Sequence, residues 1–358
     1  MATSSSANPP RHYVHLVGSA PLADTPTAFR TLATALPTQL QRLPDGEPGE
    51  RSRFVWWQRS AVGPTAAMLR PHGSSYGGRA AGTEAAGPGA DEAGRVVARL
   101  PPLHTGYDDA ARASYAEFAA LKRAGVVPPA VRFQVCVPSP LNPVALHLRA
   151  PFKPLVAPLY RDALSRALAN IQAAVPRDQL AVQVDCAVEF MVLEGVNLDV
   201  VEPWFPPTVD ELAKGVAAVV DELRGEVQAG VHLCYGDSLH KHFVEPRDMG
   251  LMVDMALKVM ELATRKLDWV HMPVPKDRVD DAYFESLARL RPAVEESGTD
   301  VVLGLVHAFD EEGTRARMKT ATKFIGENFA IATECGMGRT PVEHLDSILK
   351  ISANVFAR

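Results

Sequence analysis

The sequence has 358 residues, of which 47% are hydrophobic and 22% charged, an ordinary balance for a globular chain. Its net charge is −5 with acids and bases mixed along the length, so no basic stripe is present to track phosphates and nucleic-acid binding is not expected. No apolar run nears the roughly 20 residues needed to span a bilayer, and no membrane role is expected either.

The opening stretch, MATSSSANPP, lacks the charged and apolar regions of a signal peptide and reads as a disordered tail over 1–10, ahead of a single domain over 11–358. Short apolar runs then alternate with longer amphipathic ones, the pattern of a parallel α/β fold. YVHLVGS (13–19) is the first expected strand, followed by a helix near 26–36. A short strand near 40–45 ends in the turn DGEPGE (45–50). Residues 62–94, rich in Gly, Ala, Pro and Ser, predict a long irregular insertion after this second strand. A helix near 109–123 leads to VRFQVCV (131–137).

The alternation is regular from there. LAVQVD (180–185), GVHLCY (230–235), LDWVHM (267–272), DVVLGLV (300–306) and NFAIATE (328–334) are the remaining strands. The helices between them include 158–174 and 208–224, and a last helix lies near 341–356. Eight βα units predict one closed (β/α)8 TIM barrel. A doubly wound open sheet is the alternative, and the lack of a GxGxxG or P-loop sequence counts against its nucleotide-binding form.

Unusual polar residues sit at the expected strand ends: Ser19, Glu47, Asp185, His232 with Cys234, His271, His307 and Cys335. In a barrel these ends share one face, where active sites are built from the βα loops. The four cysteines, Cys136, Cys186, Cys234 and Cys335, are too widely spaced for a secreted disulfide framework and point to a reducing, cytoplasmic setting. Cys136 and Cys186 read as small buried apolar groups. His232 and Cys234, two apart on a strand, point the same way and offer zinc an imidazole nitrogen and a thiolate sulfur. Cys335, in the turn ECGMGR (334–339), is the candidate third ligand. Core filling is the competing reading of His-x-Cys. Three protein ligands leave a fourth position for substrate, and zinc in that role holds a bound thiol as thiolate.

These segments resemble the cobalamin-independent methionine synthase family. VHLCYGD (231–237) is similar to its zinc-binding HxCY segment, and ECGMGR to the segment carrying its last zinc cysteine. LGLVHAFDEE (303–312), VQVD (182–185), DGEP (45–48) and HLVGSAP (15–21) match further family segments in the same order. The resemblance covers the catalytic barrel of a family whose complete enzymes have two, and whose wider superfamily includes epoxyalkane:coenzyme M transferase and uroporphyrinogen decarboxylase. It implies zinc, a small-molecule thiol acceptor and an alkyl donor. It also implies that Glu47 and Asp185 grip the acceptor's amino group.

Two departures stand out. The family's further zinc-ligating glutamate is absent from WVHMPVP (269–275), where His271 is the candidate replacement, and Cys186 stands where the family has a glutamate after its aspartate. The match therefore implies thiol alkylation more firmly than methionine synthesis. Thiol addition to an epoxide, C–S cleavage, and a metal- or ligand-binding barrel without turnover are the alternatives. Among other residues, His307 is a candidate proton donor or a structural histidine, and Glu47 and Asp185 read otherwise as exposed turn acids. Ser19, Arg51 and Arg339 are candidate substrate contacts, the arginines for a carboxylate. His240 and His242 suit a lid or solvated loop, and Trp56 and Trp57 a pocket wall or the core.

Overall fold

The structure, a computed structural model, describes residues 12–71, 87–236 and 241–356. The tail expected at 1–10, residues 72–86 of the insertion, and His240 lie outside them. Seven parallel strands form one sheet in chain order: β1 (Arg42–Pro44), β2 (Arg132–Pro138), β3 (Leu180–Cys186), β4 (Gln228–Leu233), β5 (Trp269–Pro273), β6 (Asp300–Gly304) and β7 (Phe329–Ile331). Helices return the chain between them, among them Tyr107–Arg123, Lys153–Ala174, Val209–Val220, Gly250–Leu262, Leu287–Ser297 and Glu311–Ile325. Thr208 and Asp310 cap two of these helices by accepting from the Glu211 and Gly313 amides, which satisfies donors that the first turn leaves unpaired.

The first expected strand is not a regular one. Within 13–19, Val14 makes single parallel bridges to Leu40 and to Ile331, and Ser19 bridges Gly46. One irregular segment therefore touches both edges of the sheet, which is curled to bring them there. Seven regular strands and this bridging segment replace the eight regular strands of the expected closed barrel. The cause is local: β1 and β7 are three residues long and offer little ladder to pair with. The backbone of Ser19 and Ala20 turns to loop partners instead, with Met337 N donating to Ser19 O at 2.7 Å and Ala20 N to Gly46 O at 2.9 Å.

The insertion follows β1 as expected, but it is not irregular throughout. Helix Ala90–Val97 lies within it, with Asp91 and Glu92 in its first turn. Its Ala93 is buried in a small apolar cluster with Phe152 and Val156, so tertiary packing supports a helix that the Gly and Ala content obscures.

Strand alternation divides the sheet's side chains between two faces. Val182, Val184, Val231, Val270, Met272, Val301 and Leu303 join the main apolar cluster. Gln183, Asp185, His232, Trp269 and His271 occupy the alternate positions. There Arg42 lies 4.0 Å over the Trp269 ring, and Gly230 leaves that ring its space, since a Cβ would come within 2.0 Å of it. Among the described residues, no helix is long and apolar enough to cross a membrane.

Candidate metal centre

Parallel register sets Asp185 of β3 beside His232 of β4, and His232 beside His271 of β5. Cys234 follows two residues after His232, its amide bonded to the Cys186 carbonyl at 2.7 Å, which extends the alternation just past β4. Cys335 arrives from the loop after β7. Donor atoms of His232, Cys234 and Cys335 all lie within 4.8 Å of one another, and the two sulfurs are 3.6 Å apart. Two sulfurs at about 2.3 Å from one tetrahedral zinc would lie about 3.8 Å apart, so the spacing fits a shared ion.

The chemistry of the donors fits as well. His232 is buried, its Nδ1 meets His271 Nδ1 at 2.6 Å, and its Nε2 has no hydrogen-bond partner. An orphaned buried nitrogen is costly unless something binds it. The Gly236 amide donates to Cys234 Sγ at 3.2 Å, a contact that favours the thiolate. His271 takes the inward position that alternation requires, but it touches His232 instead of joining the three-donor group. Burial holds its imidazole neutral, down to about 3.

Two glycines let the Cys335 loop settle. Gly338 N donates to Ser19 Oγ at 3.1 Å. A Cβ on Gly336 would come within 2.5 Å of Ser19 Oγ, and one on Gly338 within 2.7 Å of Ser19 Cβ. Ser19 thus ties the Glu47 turn to the cysteine loop, and its hydroxyl is engaged by backbone while it also lines the cavity.

That cavity, about 320 Å³, opens on His232, Cys234 and Cys335. Glu47, Asp185, Ser19 and Arg339 line it too, alongside an apolar wall that includes Leu146, Val188, Met191 and Phe243. Glu47 follows Gly46 with both residues at positive φ, 47° and 79°, a conformation that costs a non-glycine residue of order 1 kcal/mol or more. The turn is held by Asp45, which accepts from the Glu47 amide at 2.9 Å and pairs with Arg51 at 2.7 Å. Gly18 leaves room for the Glu47 carboxylate, because a Cβ there would lie 2.8 Å from Oε1. Burial and the neighbouring Asp45 push the Glu47 carboxyl up to about 7. Burial and Glu47 push Asp185 well above the usual range, although Gln183 donates to it at 2.8 Å. Two acids that resist ionising together make a place for a cation.

The remaining candidates fall elsewhere. Arg51 serves Asp45, which accounts for its guanidinium without a substrate. Trp56 packs edge-on against His147 and Trp57 against Tyr107; Phe54 reaches the main cavity in their place. Cys186 is fully buried, whereas Cys136 is half-buried with its thiol on the Val17 carbonyl at 3.2 Å. His307 is not on the cavity wall. It bonds the Val274 carbonyl at 3.0 Å, with Glu334 3.7 Å from its other nitrogen, and burial together with Arg317 lowers it to about 4, which favours the structural of the two readings of this histidine. His242 does line the cavity. Burial lowers its pKa, but ion pairs with Glu334 at 3.3 Å and Glu245 at 2.9 Å outweigh that and raise it to about 9. Sequence reading missed these two carboxylate partners; the position of Glu334 directly before Cys335 was the available signal.

The sequence matches no protein-family model and no curated protein. In fold, the chain is similar to a B12-independent methionine synthase from Shewanella sp. W3-18-1, solved with selenomethionine. The two are 15% identical with a TM-score of 0.47, over 69% of this chain and 64% of that one. A GH138 enzyme targeting pectin rhamnogalacturonan II is similar at 9% identity and TM-score 0.29, over 67% of this chain and 34% of that one. The chain therefore spans less than two thirds of either protein's length. Both likenesses are distant, and neither bears on the chemistry of the site.

Proposed function

We propose that this chain is a zinc-dependent transferase that moves a methyl or other alkyl group onto a thiol. The observation that carries the reading is the convergence of one buried imidazole and two thiols, with donor atoms within 4.8 Å of one another, on the wall of a cavity; the Nε2 of that imidazole has no hydrogen-bond partner. The ECGMGR and VHLCYGD motifs support it by their resemblance to a thiol-alkylating family. His232, Cys234 and Cys335 would hold the ion, which when bound supplies a Lewis acid that keeps a substrate thiol deprotonated at neutral pH.

The chain's own residues would do the rest. Glu47 and Asp185 bind and orient an ammonium group on the acceptor. Leu146, Val188, Met191 and Phe243 take the apolar part of the donor and exclude water, which limits its hydrolysis. Overall, a C–S bond forms at the acceptor sulfur, the donor's bond to the same carbon breaks, and the leaving group departs with that bond's electrons. Proximity in the cavity provides much of the rate, because no covalent enzyme intermediate is needed.

Incubating the zinc-loaded protein with homocysteine, cysteine or mercaptoethanol and a panel of methyl donors and epoxides tests the reading. S-alkylated product from at least one pair, lost on chelation and restored by zinc, is expected. A protein that takes up no zinc, or loads zinc and alkylates none of these thiols, is not this enzyme.

The cysteine loop offers a separate check. Gly338→Ala is expected to push the loop off Ser19 and lower zinc affinity about tenfold, with a stability loss of about 1–3 kcal/mol. Chelator competition and thermal unfolding measure the two effects, and unchanged zinc affinity would show that this contact does not set the position of Cys335.

A further inference from the structure

The histidine next to the ligand group has a role that the three-donor arrangement leaves open. His271 Nε2 lies 3.1 Å from the Thr333 carbonyl oxygen, and its Nδ1 lies 2.6 Å from His232 Nδ1. Both rings are buried, and the register of β4 and β5 holds them side by side. A carbonyl oxygen only accepts, so His271 Nε2 carries a hydrogen. A neutral imidazole then has a lone pair on its other nitrogen, so His271 Nδ1 accepts and His232 Nδ1 must donate. His232 is left with a bare lone pair on Nε2, the nitrogen that has no partner among the described residues.

We infer that His271 is a positioning residue: it reads the Thr333 carbonyl and sets the tautomer of His232, so that Nε2 faces the metal site unprotonated. The inference rests on the proposed metal reading for its purpose, but the direction of the hydrogen bonds comes from the contacts of two fully enclosed, neutral rings. Thr333 belongs to the cysteine loop and its hydroxyl donates to the Cys335 carbonyl at 2.7 Å. The same short chain of contacts therefore ties the β4 ligand to the loop bearing the third ligand. An imidazole in water favours the proton on Nε2, the nitrogen that would have to be cleared before binding. Holding it on Nδ1 in advance removes that step and fixes the ring plane, and such outer partners typically carry 10–100-fold in metal affinity.

Two measurements test this. In the metal-free protein, long-range ¹H–¹⁵N correlation of the histidine rings should show His232 protonated on Nδ1 and His271 on Nε2. With zinc alone as the probe, chelator competition should show His271→Phe binding 10–100-fold more weakly than the unaltered protein. His271→Asn, whose amide oxygen can accept from His232 Nδ1, should recover a substantial part of the loss. A metal-free His232 protonated on Nε2 overturns the inference, as does a folded His271→Phe variant with unchanged zinc affinity. If the unaltered protein takes up no zinc, the proposed function fails, and the tautomer measurement still decides the relay. If His271→Phe does not fold, the spectrum of the unaltered protein and the His271→Asn titration decide it.

Discussion

Cys335→Ser is expected to lower zinc affinity by roughly two to three orders of magnitude while leaving the fold intact. Three-ligand zinc binding shares a total of about 10 kcal/mol or more among its donors, and a serine hydroxyl, not ionised at neutral pH, replaces a thiolate poorly. The substitution is nearly isosteric. Cys335 is only half-buried on a loop, and the main apolar cluster does not include it, so the sheet should not notice the change. Cys234→Ser should behave alike, with the added loss of the Gly236 amide contact to sulfur. Metal content after gel filtration, together with far-ultraviolet circular dichroism, separates loss of metal from loss of structure. Stoichiometric zinc in both variants would place the ion elsewhere.

Asp185→Asn is expected to raise KM for an amino thiol roughly 10–100-fold and to change KM little for a thiol without nitrogen. A hydrogen bond between charged groups contributes about 1.5–3 kcal/mol, and the amide keeps the shape while removing the charge. The pH dependence follows from the partner acid. Glu47 titrates at about 7, whereas an aliphatic ammonium remains protonated well above that. As pH falls through 7, Glu47 takes up a proton and the cation site loses charge, so kcat/KM for the amino thiol should drop on the acid side. Mercaptoethanol should show no such limb, and Glu47→Gln should abolish it for the amino thiol. Equal efficiency of mercaptoethanol and homocysteine at neutral pH would exclude an amino-acid acceptor and favour addition to an epoxide by a simple thiol.

The donor group was legible because its parts lie on elements with a period. Alternation on β4 puts His232 and Cys234 on one side, and the same period on β5 turns His271, and not Met272, toward them. What alternation does not provide is the distance between rings on neighbouring strands, which depends on register. His271 was therefore a candidate ligand in sequence and in the structure is the hydrogen-bond partner of another candidate, His232. The irregular course of residues 13–19 was hidden for a similar reason: its apolar pattern is that of a strand, but its pairing depends on two three-residue neighbours. Arg51 and His242 were obscured because their carboxylates come from turns, where sequence spacing says little about contact. The Ala90–Val97 helix owes its place to packing on Phe152 and Val156, residues some sixty positions away.

The bond from Gly338 to Ser19 joins residues 319 apart in sequence. Contacts of that separation form late, because closing so long a loop costs entropy before any contact repays it. A chain still being made can place His232 beside Cys234 as soon as β4 has neighbours. The third donor, the sulfur of Cys335, has no fixed place until the loop after β7 docks against a segment made hundreds of residues earlier. If the proposed site is correct, a partly folded chain offers a two-donor clip that grips a metal weakly, and the full grip belongs to the finished molecule alone. On the proposed reading, possession of the ion is a certificate of completed folding, withheld from chains whose two halves have not yet met.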